Sequence, residues 1–250
     1  MSRTPFVAGN WKMHKTPEEA AEFCRSLRQR SLPLDRVDVA VFPPFVAIPA
    51  VALALAGSRI GVGGQNLHFA ASGAFTGEVS ANMLLTVGCQ YVIIGHSERR
   101  QLFGETDAFI REKLEAAMRA GLVPVVCVGE TLKERQSGNT EKVVRRQIAS
   151  AASGLEHLGR AVVFAYEPVW AIGTGVVASP AQAQEVHAAI RSWLLELWGG
   201  SAEDVKILYG GSVKPDNARA LLSCPDIDGA LVGGAALEPE SFTRIIEAAV

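Results

Sequence analysis

The chain has 250 residues, of which 48% are hydrophobic and 20% are charged, as expected of a folded globular protein. Its 24 basic and 26 acidic residues give a formal net charge of −2 and are spread along the chain. This balance argues against nucleic acid or an anionic membrane as the main binding partner. The length allows one domain or two, and α/β barrels commonly reach it as a single domain.

The five histidines lack metal-binding spacing, so no metal is expected. Residues 1–15 lack the apolar segment of a signal peptide. The uncharged run Ala40–Gly57 contains adjacent prolines that would break a membrane-spanning helix, so we expect a strand, a turn and a buried helix there. The cysteines form no C-x-x-C pair and are expected to be reduced thiols in or near the core of a cytoplasmic protein; they are Cys24, Cys89, Cys127 and Cys224.

Short apolar segments rich in β-branched residues recur along the chain and predict eight strands. In chain order these are Phe6–Ala8, Val37–Phe42, Ile60–Gly63, Tyr91–Ile94, Val123–Val128, Ala161–Tyr166, Lys206–Tyr209 and Gly229–Val232. Helix signals lie between them. Thr16 and Ser179 each precede a proline and then a Glu or Gln at the third helical position, which predicts capping boxes. Thr106 and Gly121 are expected to cap the two ends of another helix.

Eight alternations of strand and helix, with strands that are apolar almost throughout, predict a parallel sheet buried on both faces. Pro215 and Pro239 lie where the helices after the last two strands would begin. Eight such units in 250 residues match the size of a closed (β/α)8 barrel. We therefore predict an α/β fold in which residues 1–250 form one barrel domain. An open doubly wound sheet is the alternative, but no G-x-G-x-x-G follows the first strand.

Polar side chains follow the first and fourth predicted strands, where the active site of such a barrel is built. The first strand is followed by Asn10 and Lys12, and the fourth by His96, Ser97 and Glu98. Singly, a lysine or glutamate at such a place is usually solvated, and a lone histidine is usually a satisfied core residue. Their joint placement at one face of the barrel indicates a catalytic site.

Glu167 directly follows the sixth strand, and Pro168 biases its backbone toward an extended conformation that aims the side chain. The next residues, Val169–Ile172, are apolar for a surface loop. An apolar segment beside one carboxylate is typical of a lid that excludes water from a catalytic base. A buried loop with a merely solvated glutamate is the alternative interpretation.

Glycine pairs end the last two strands, as Gly210-Gly211-Ser212 and Gly233-Gly234-Ala235. Glycine permits a positive φ and a close backbone approach, so successive N–H groups can converge on an anion. Many barrels of this type bind phosphate at these two strand ends. The pairs therefore indicate a phosphate site, although either pair alone would also suit a tight turn without a ligand.

Together these groups suit proton abstraction next to the carbonyl of a small phosphorylated substrate. Glu167 would be the base, while a neutral His96 and Lys12 would stabilise the oxyanion of an enediolate. We expect His96 to be neutral because Ser97 can cap a short helix, whose N-terminus disfavours an imidazolium. A dry lid would keep the enediolate from losing its phosphate.

Six stretches of the sequence form a recognisable series: Asn10–Met13, Gly73–Glu78, Ile94–Arg100, Ala165–Gly175, Tyr209–Ser212 and Val232–Ala235. They closely resemble the triosephosphate isomerase family, occur in its order and span nearly the whole chain. The resemblance implies a TIM barrel that interconverts dihydroxyacetone phosphate and D-glyceraldehyde 3-phosphate, in glycolysis and gluconeogenesis, without cofactor or metal. A neutral catalytic histidine is a known property of this family.

The resemblance also implies roles for the side chains around the substrate. Glu167 moves a proton between the two carbons, while His96 polarises the carbonyl and moves the hydroxyl proton. Lys12 stabilises charge on the substrate and the enediolate, and Asn10 hydrogen-bonds the reacting end.

Supporting roles and a partner are implied in the same way. Glu98 orders Lys12, and Ser97 supports Glu167 while the lid is open. Family members are homodimers at least, and the loop around Thr76 resembles the one that reaches into the partner's active site. The backbone N–H groups implied to hold phosphate are those of Gly173, Ser212, Gly233 and Gly234.

Two places depart from the family pattern. Val176 and Val177 follow Gly-Thr-Gly where a lysine is common, and these stiff β-branched residues are expected to change the rate of lid opening. Ala236 replaces a common serine, which removes one hydroxyl near the phosphate loop but none of the backbone donors.

Two other functions remain open to the sequence. A catalytically idle barrel that only binds phosphate would have no need of Glu167, His96 and Lys12 together. A barrel enzyme for a longer sugar phosphate or an indole precursor is less favoured by the short lid, on analogy alone.

Overall fold

The computed structural model describes residues 3–155, 161–173 and 177–250. Its strands lie close to the predicted positions, although β1 continues through Asn10 and β6 begins at Val163 and not at Ala161. The strands are β1 (Phe6–Asn10), β2 (Asp38–Phe42), β3 (Ile60–Gly64), β4 (Tyr91–Ile94), β5 (Val123–Val128), β6 (Val163–Tyr166), β7 (Lys206–Tyr209) and β8 (Gly229–Val232).

The strands form a closed barrel in which each pairs in parallel with its neighbours in the sequence. β1 also pairs with β8, so that Phe6 lies opposite Asp38 on one side and Gly229 on the other. The predicted (β/α)8 TIM barrel is confirmed. Because all strands run in one direction, their carboxyl ends meet at one face of the barrel.

The helices between the strands supply the crossovers that parallel pairing requires. Both predicted capping boxes, at Thr16 and Ser179, are present. Thr106 caps its helix, and Gly121 ends it with a left-handed φ of 88°. The helices are α1 (Pro17–Arg28), α2 (Ile48–Ala54), α3 (Ala81–Thr86), α4 (Ser97–Leu102), α5 (Asp107–Ala120), α6 (Leu132–Gln136), α7 (Thr140–Ala152), α8 (Pro180–Trp198), α9 (Pro215–Leu222) and α10 (Pro239–Glu247).

The strands are buried on both faces, which explains their continuous apolar sequences. Along β1, Phe6 and Ala8 belong to the core inside the barrel, whereas Val7 belongs to the core between barrel and helices. The interior is filled by side chains such as Phe42 and Leu208. The face at the carboxyl ends of the strands therefore rests on a packed core that holds it rigidly.

The cysteines and the uncharged segment also follow expectation. Cys24, Cys89 and Cys127 are buried free thiols, and burial raises the pKa of Cys24 and Cys89 to about 12. The run Ala40–Gly57 contains the end of β2, a short 3-10 turn and α2. Within the described ranges, no helix combines the length and the apolar character that crossing a bilayer requires.

Gly229 lies at the seam where β8 meets β1. Its φ is 142°, which L side chains rarely adopt, and a Cβ there would collide with the carbonyl oxygen of Phe6. We expect Gly229→Ala to lower the free energy of unfolding by about 3 kcal/mol or more, because conformational strain and a backbone clash add. Urea unfolding at fixed protein concentration measures this change.

Gly57→Ala is the matched control. Gly57 also has a positive φ, of 74°, but a Cβ there would meet nothing within 4 Å. This variant should lose only the conformational term, about 1–2 kcal/mol. Equal losses in the two variants would contradict a special constraint at the seam.

Candidate active site

A cavity of about 970 Å³ opens at the carboxyl ends of the strands. Eight of the predicted site residues line it: Asn10, Lys12, His96, Glu167, Gly173, Ser212, Gly233 and Gly234. Barrel closure brings them together from the ends of β1, β4, β6, β7 and β8. The two other predicted residues support members of this lining: Ser97 contacts Glu167, and Glu98 contacts Lys12.

The end of β1 holds Asn10 and Lys12 in fixed orientations. The backbone N–H of Lys12 donates to Oδ1 of Asn10 at 3.0 Å, which identifies the amide NH2 of Asn10 as its donor for a ligand. Lys12 has a left-handed φ of 52°, an unusual conformation for a residue with a side chain. The side chain of Gln65 donates to the carbonyl oxygens of Lys12 and Phe42, both at 2.8 Å, and secures this turn.

Glu167 and His96 contact each other in the cavity wall. Nε2 of His96 lies 3.0 Å from Oε1 of Glu167, and the backbone N–H of Ser97 donates to Oε2 at 2.8 Å. Both side chains are buried, with only 2% of Glu167 and 6% of His96 exposed. The carboxylate is therefore held in one orientation by two donors.

The charge state of Glu167 follows from opposing effects. Burial by itself would raise its pKa, but His96, the N–H of Ser97 and the charge of Lys12 together lower the pKa below its ordinary value. For His96, burial by itself would lower the pKa, and the carboxylates of Glu167 and Glu98 raise it overall. Glu167 is therefore ionised and able to accept a proton.

The backbone N–H of Glu98 determines the tautomer of His96. It donates to Nδ1 at 3.2 Å, and a protonated Nδ1 would bring two donors face to face. His96 is therefore a neutral imidazole with its proton on Nε2, even though the nearby carboxylates raise its pKa. The expectation that Ser97 caps the helix was wrong: His96 is the N-cap of α4, because its ring accepts the N–H that a serine hydroxyl was expected to accept.

Glu98 pairs with Lys12 and not with the arginines beside it in the sequence. Its Oε1 lies 2.6 Å from Nζ of Lys12, while Arg99 and Arg100 bind other carboxylates. The side chains of Lys12 and Glu98 are 28% and 43% exposed. A pair so open to water adds little stability, so its main effect is to orient the ammonium group.

The glycines of the two turns after β7 and β8 do not use a positive φ, although Gly233 has an unusual ψ of −115°. None of Gly210, Gly211, Gly233 and Gly234 is among the glycines with positive φ, so that part of the expectation was wrong. A Cβ at Gly210 would lie 2.8 Å from Cγ of Glu167, and one at Gly211 would collide with the hydroxyl of Tyr209.

The second glycine pair leaves open space beside the cavity. A Cβ at Gly234 would meet nothing within 4 Å, and one at Gly233 would lie 3.8 Å from Cε of Lys12. A 3-10 turn, Gly234–Ala236, begins there, and the first N–H groups of such a turn have no partner within it. These N–H groups and the ammonium of Lys12 suit an anion.

Sequence reasoning missed two polar residues that support the site. Gln65, which holds the Lys12 turn, is the first residue after β3. Glu130 lies just beyond β5 and is fully buried; it accepts hydrogen bonds from Tyr166 at 3.0 Å and from Trp170 at 3.0 Å. Both lie within two residues of a strand end, so the signal that indicates Asn10 and His96, a polar residue just after a strand, is also present at β3 and β5.

The first departure from the family pattern concerns Val176, which lies outside the described residues, and Val177, which is 41% exposed. Ala236 is fully buried, and a Cβ at Gly9 would lie 3.1 Å from its Cβ. Across the described ranges, His, Cys, Asp and Glu do not gather in groups of three or more that could hold a metal ion.

The arrangement combines an ionised carboxylate, a neutral imidazole donor and an ammonium group around one cavity. The carboxylate can remove a proton bound to carbon, and the two donors can stabilise the negative charge that then develops on an adjacent oxygen. The open turns after β7 and β8 offer a place for an anionic group of the same substrate.

Comparison with known proteins agrees with this chemistry. The family model described as triosephosphate isomerase matches residues 5–249. A triosephosphate isomerase of Moorella thermoacetica is 56% identical over 245 residues, with 98% of each chain covered. The triosephosphate isomerase of Chloroflexus aurantiacus is 55% identical, with 98% of each chain covered. That of Carboxydothermus hydrogenoformans is 54% identical, with 99% of this chain and 100% of the relative covered. The chain therefore belongs to the triosephosphate isomerase family and is an isomerase of triose phosphates.

Proposed function

We propose that the chain interconverts dihydroxyacetone phosphate and D-glyceraldehyde 3-phosphate by proton transfer through Glu167. The observation that supports this most directly is the buried Glu167 carboxylate, whose pKa is lowered and which faces the cavity beside His96. The base removes a proton from one carbon to give an enediolate and returns it to the neighbouring carbon. A single carboxylate serves both steps because the two carbons are adjacent.

His96, Lys12 and Asn10 would stabilise the enediolate oxygens. His96 carries its proton on Nε2, the atom that reaches the cavity wall beside Glu167, so it can donate to a carbonyl oxygen and exchange a proton with the hydroxyl. In this structure the proton is directed at Oε1 of Glu167, which lies 3.0 Å from Nε2. Substrate would enter between the two side chains and take over the hydrogen bond.

The phosphate of the substrate would be bound by backbone N–H groups of Gly173, Ser212, Gly233 and Gly234. All four residues line the cavity together with Lys12, whose Cε would lie 3.8 Å from a Cβ at Gly233, so its ammonium group adds a positive charge near this turn. Holding the phosphate there would fix the reacting carbons at the distance from Glu167 that proton transfer requires.

Removal of the base is the first test. Glu167→Gln keeps the size of the side chain but cannot accept the proton, so we expect kcat for glyceraldehyde 3-phosphate to fall by at least about 10³-fold, near the upper range for a general base. A coupled assay with purified protein measures it. Glu141→Gln, which changes an exposed glutamate on α7, is the control and should behave as wild type. Equal activity of the two variants would refute the role of Glu167.

Substrate size separates this function from that of a barrel enzyme for longer sugar phosphates. The cavity must close over its ligand to exclude water, and the segment after Glu167 is short, so we expect kcat/KM for five- and six-carbon sugar phosphates to be at least about 100-fold lower than for the triose. The same purified protein serves for all substrates. Comparable turnover of a longer sugar would overturn the triose assignment.

We also propose that the protein works as a homodimer in the cytoplasm, with residues 1–250 as one barrel domain. Large apolar side chains are exposed on the loops or helices that follow β1, β3 and β4; β3 and β4 are adjacent in the barrel, and only β2 separates them from β1. They include Met13 (93% exposed), Leu102 (76%), Phe103 (66%) and Phe75 (44%). An apolar surface of this kind usually marks a protein interface. Free, mostly buried cysteines support a reducing compartment.

Thr76 tests the dimer interface because it lies next to Phe75 on the exposed loop. Thr76→Arg would place a charge in the apolar contact, and we expect monomers with at least tenfold lower kcat/KM. Light scattering gives the mass, and the coupled assay the activity. Ser201→Arg, an equal change at an exposed residue before β7, is the control and should leave the dimer intact. An unchanged mass for Thr76→Arg would contradict this interface.

A further inference from the structure

His187 on α8 fills the space between two tyrosines that end neighbouring strands. Its side chain is fully buried. The ring meets Tyr166 edge to face, with centroids 5.7 Å apart at 86°, and its centroid lies 6.3 Å from that of Tyr209. Nδ1 lies 3.3 Å from the carbonyl oxygen of Asp226, so this nitrogen carries the proton and donates it. Burial lowers the pKa of His187 to about 3, so the ring is neutral at physiological pH.

Tyr166 links this histidine to the catalytic base. It directly precedes Glu167, so any movement of its backbone moves the base. Its hydroxyl donates to Glu130 at 3.0 Å, and the same carboxylate accepts a hydrogen bond from the indole of Trp170 at 3.0 Å. The position of the Tyr166 ring therefore affects both Glu167 and the segment that follows it.

Tyr209 links the same histidine to the phosphate side. It directly precedes Gly210, and its hydroxyl occupies the place that a Cβ of Gly211 would take. That Cβ would also lie 2.9 Å from Cγ of Pro168, so the hydroxyl is close to the residue after the base. Burial raises the pKa of Tyr209 to about 12, so its hydroxyl stays protonated.

We infer that His187 is a positioning residue which, by packing against the rings of both Tyr166 and Tyr209, sets the orientation of Glu167 relative to the phosphate-binding turn Gly210–Ser212. The inference rests on the proposed function, since it assumes the roles of these two elements. Protein interiors are close-packed, so loss of the ring would let both tyrosines shift. Small shifts matter here because one substrate must meet the base and the phosphate turn at once.

Two substitutions separate the ring from its hydrogen bond. His187→Asn keeps a donor near the position of Nδ1 but removes the outer part of the ring. His187→Phe keeps a ring between the tyrosines but removes the donor. We expect kcat/KM for glyceraldehyde 3-phosphate to fall about tenfold or more in His187→Asn, with weaker competitive inhibition by inorganic phosphate. His187→Phe should stay within about threefold of wild type in both measurements.

A stability control distinguishes positioning from folding. Ile190 is also fully buried and lies about one turn further along α8. Ile190→Ala should lower Tm at least as much as His187→Asn, yet keep kcat/KM within about twofold of wild type. All assays are made well below the lowest Tm.

A double-variant cycle tests the path through Tyr166. Tyr166→Phe removes the hydrogen bond to Glu130. If His187 acts through Tyr166, kcat/KM of the double variant His187→Asn/Tyr166→Phe should be no more than about twofold below that of the less active single variant. Multiplicative losses would overturn this path.

The inference is wrong if His187→Asn lowers only Tm and leaves kcat/KM and phosphate inhibition unchanged, or if His187→Phe loses as much activity as His187→Asn. An inactive wild-type protein would refute the proposed function instead. Binding of inorganic phosphate, measured by calorimetry on the same variants, would then still show whether His187 positions the phosphate turn.

Discussion

Closure of the parallel barrel is the constraint on which the rest of this structure depends. β1 is hydrogen-bonded to β8 as well as to β2, so residues separated by most of the chain length become neighbours. Lys12 approaches Gly233 only because of this seam. Since each strand points the same way, every strand contributes its last residue to one ring. The active site is therefore built from short segments that are distant in sequence, and each strand contributes to it through the side chains at its carboxyl end.

The packed interior gives that ring its rigidity, and the site uses it to hold groups that would separate in water. A buried carboxylate beside a buried imidazole is unfavourable unless each finds a partner. Here Glu167 receives donors from His96 and from the backbone of Ser97, and His96 receives one from the backbone of Glu98. Two of these three donors, the N–H groups of Ser97 and Glu98, belong to the first turn of α4. A single strand-to-helix transition thus sets the charge of the base and the tautomer of the histidine.

Local features of the fold were predictable from the sequence because their causes are local. Helix caps such as Thr16 depend on residues three positions apart, and buried strands such as β5 show as apolar runs. Placement of the site residues on one face followed from the parallel order alone. Their contacts did not, because these depend on which side chains meet across the barrel. The cap at His96 and the packing of Gly210 against Glu167 depend on the three-dimensional arrangement, because local propensity favours serine as the cap and a positive φ as the reason for glycine.

The left-handed backbone of Lys12 sets the thermal stability of this protein against its activity. A residue with a side chain in this conformation carries roughly 1–3 kcal/mol of strain, which glycine would not. Random libraries selected for thermal stability alone will therefore be enriched in glycine at this position, at the loss of the ammonium group that faces the cavity. We therefore expect the most active and the most stable variants of this chain to differ at position 12, so selection for thermal stability should keep Lys12 fixed and vary other positions.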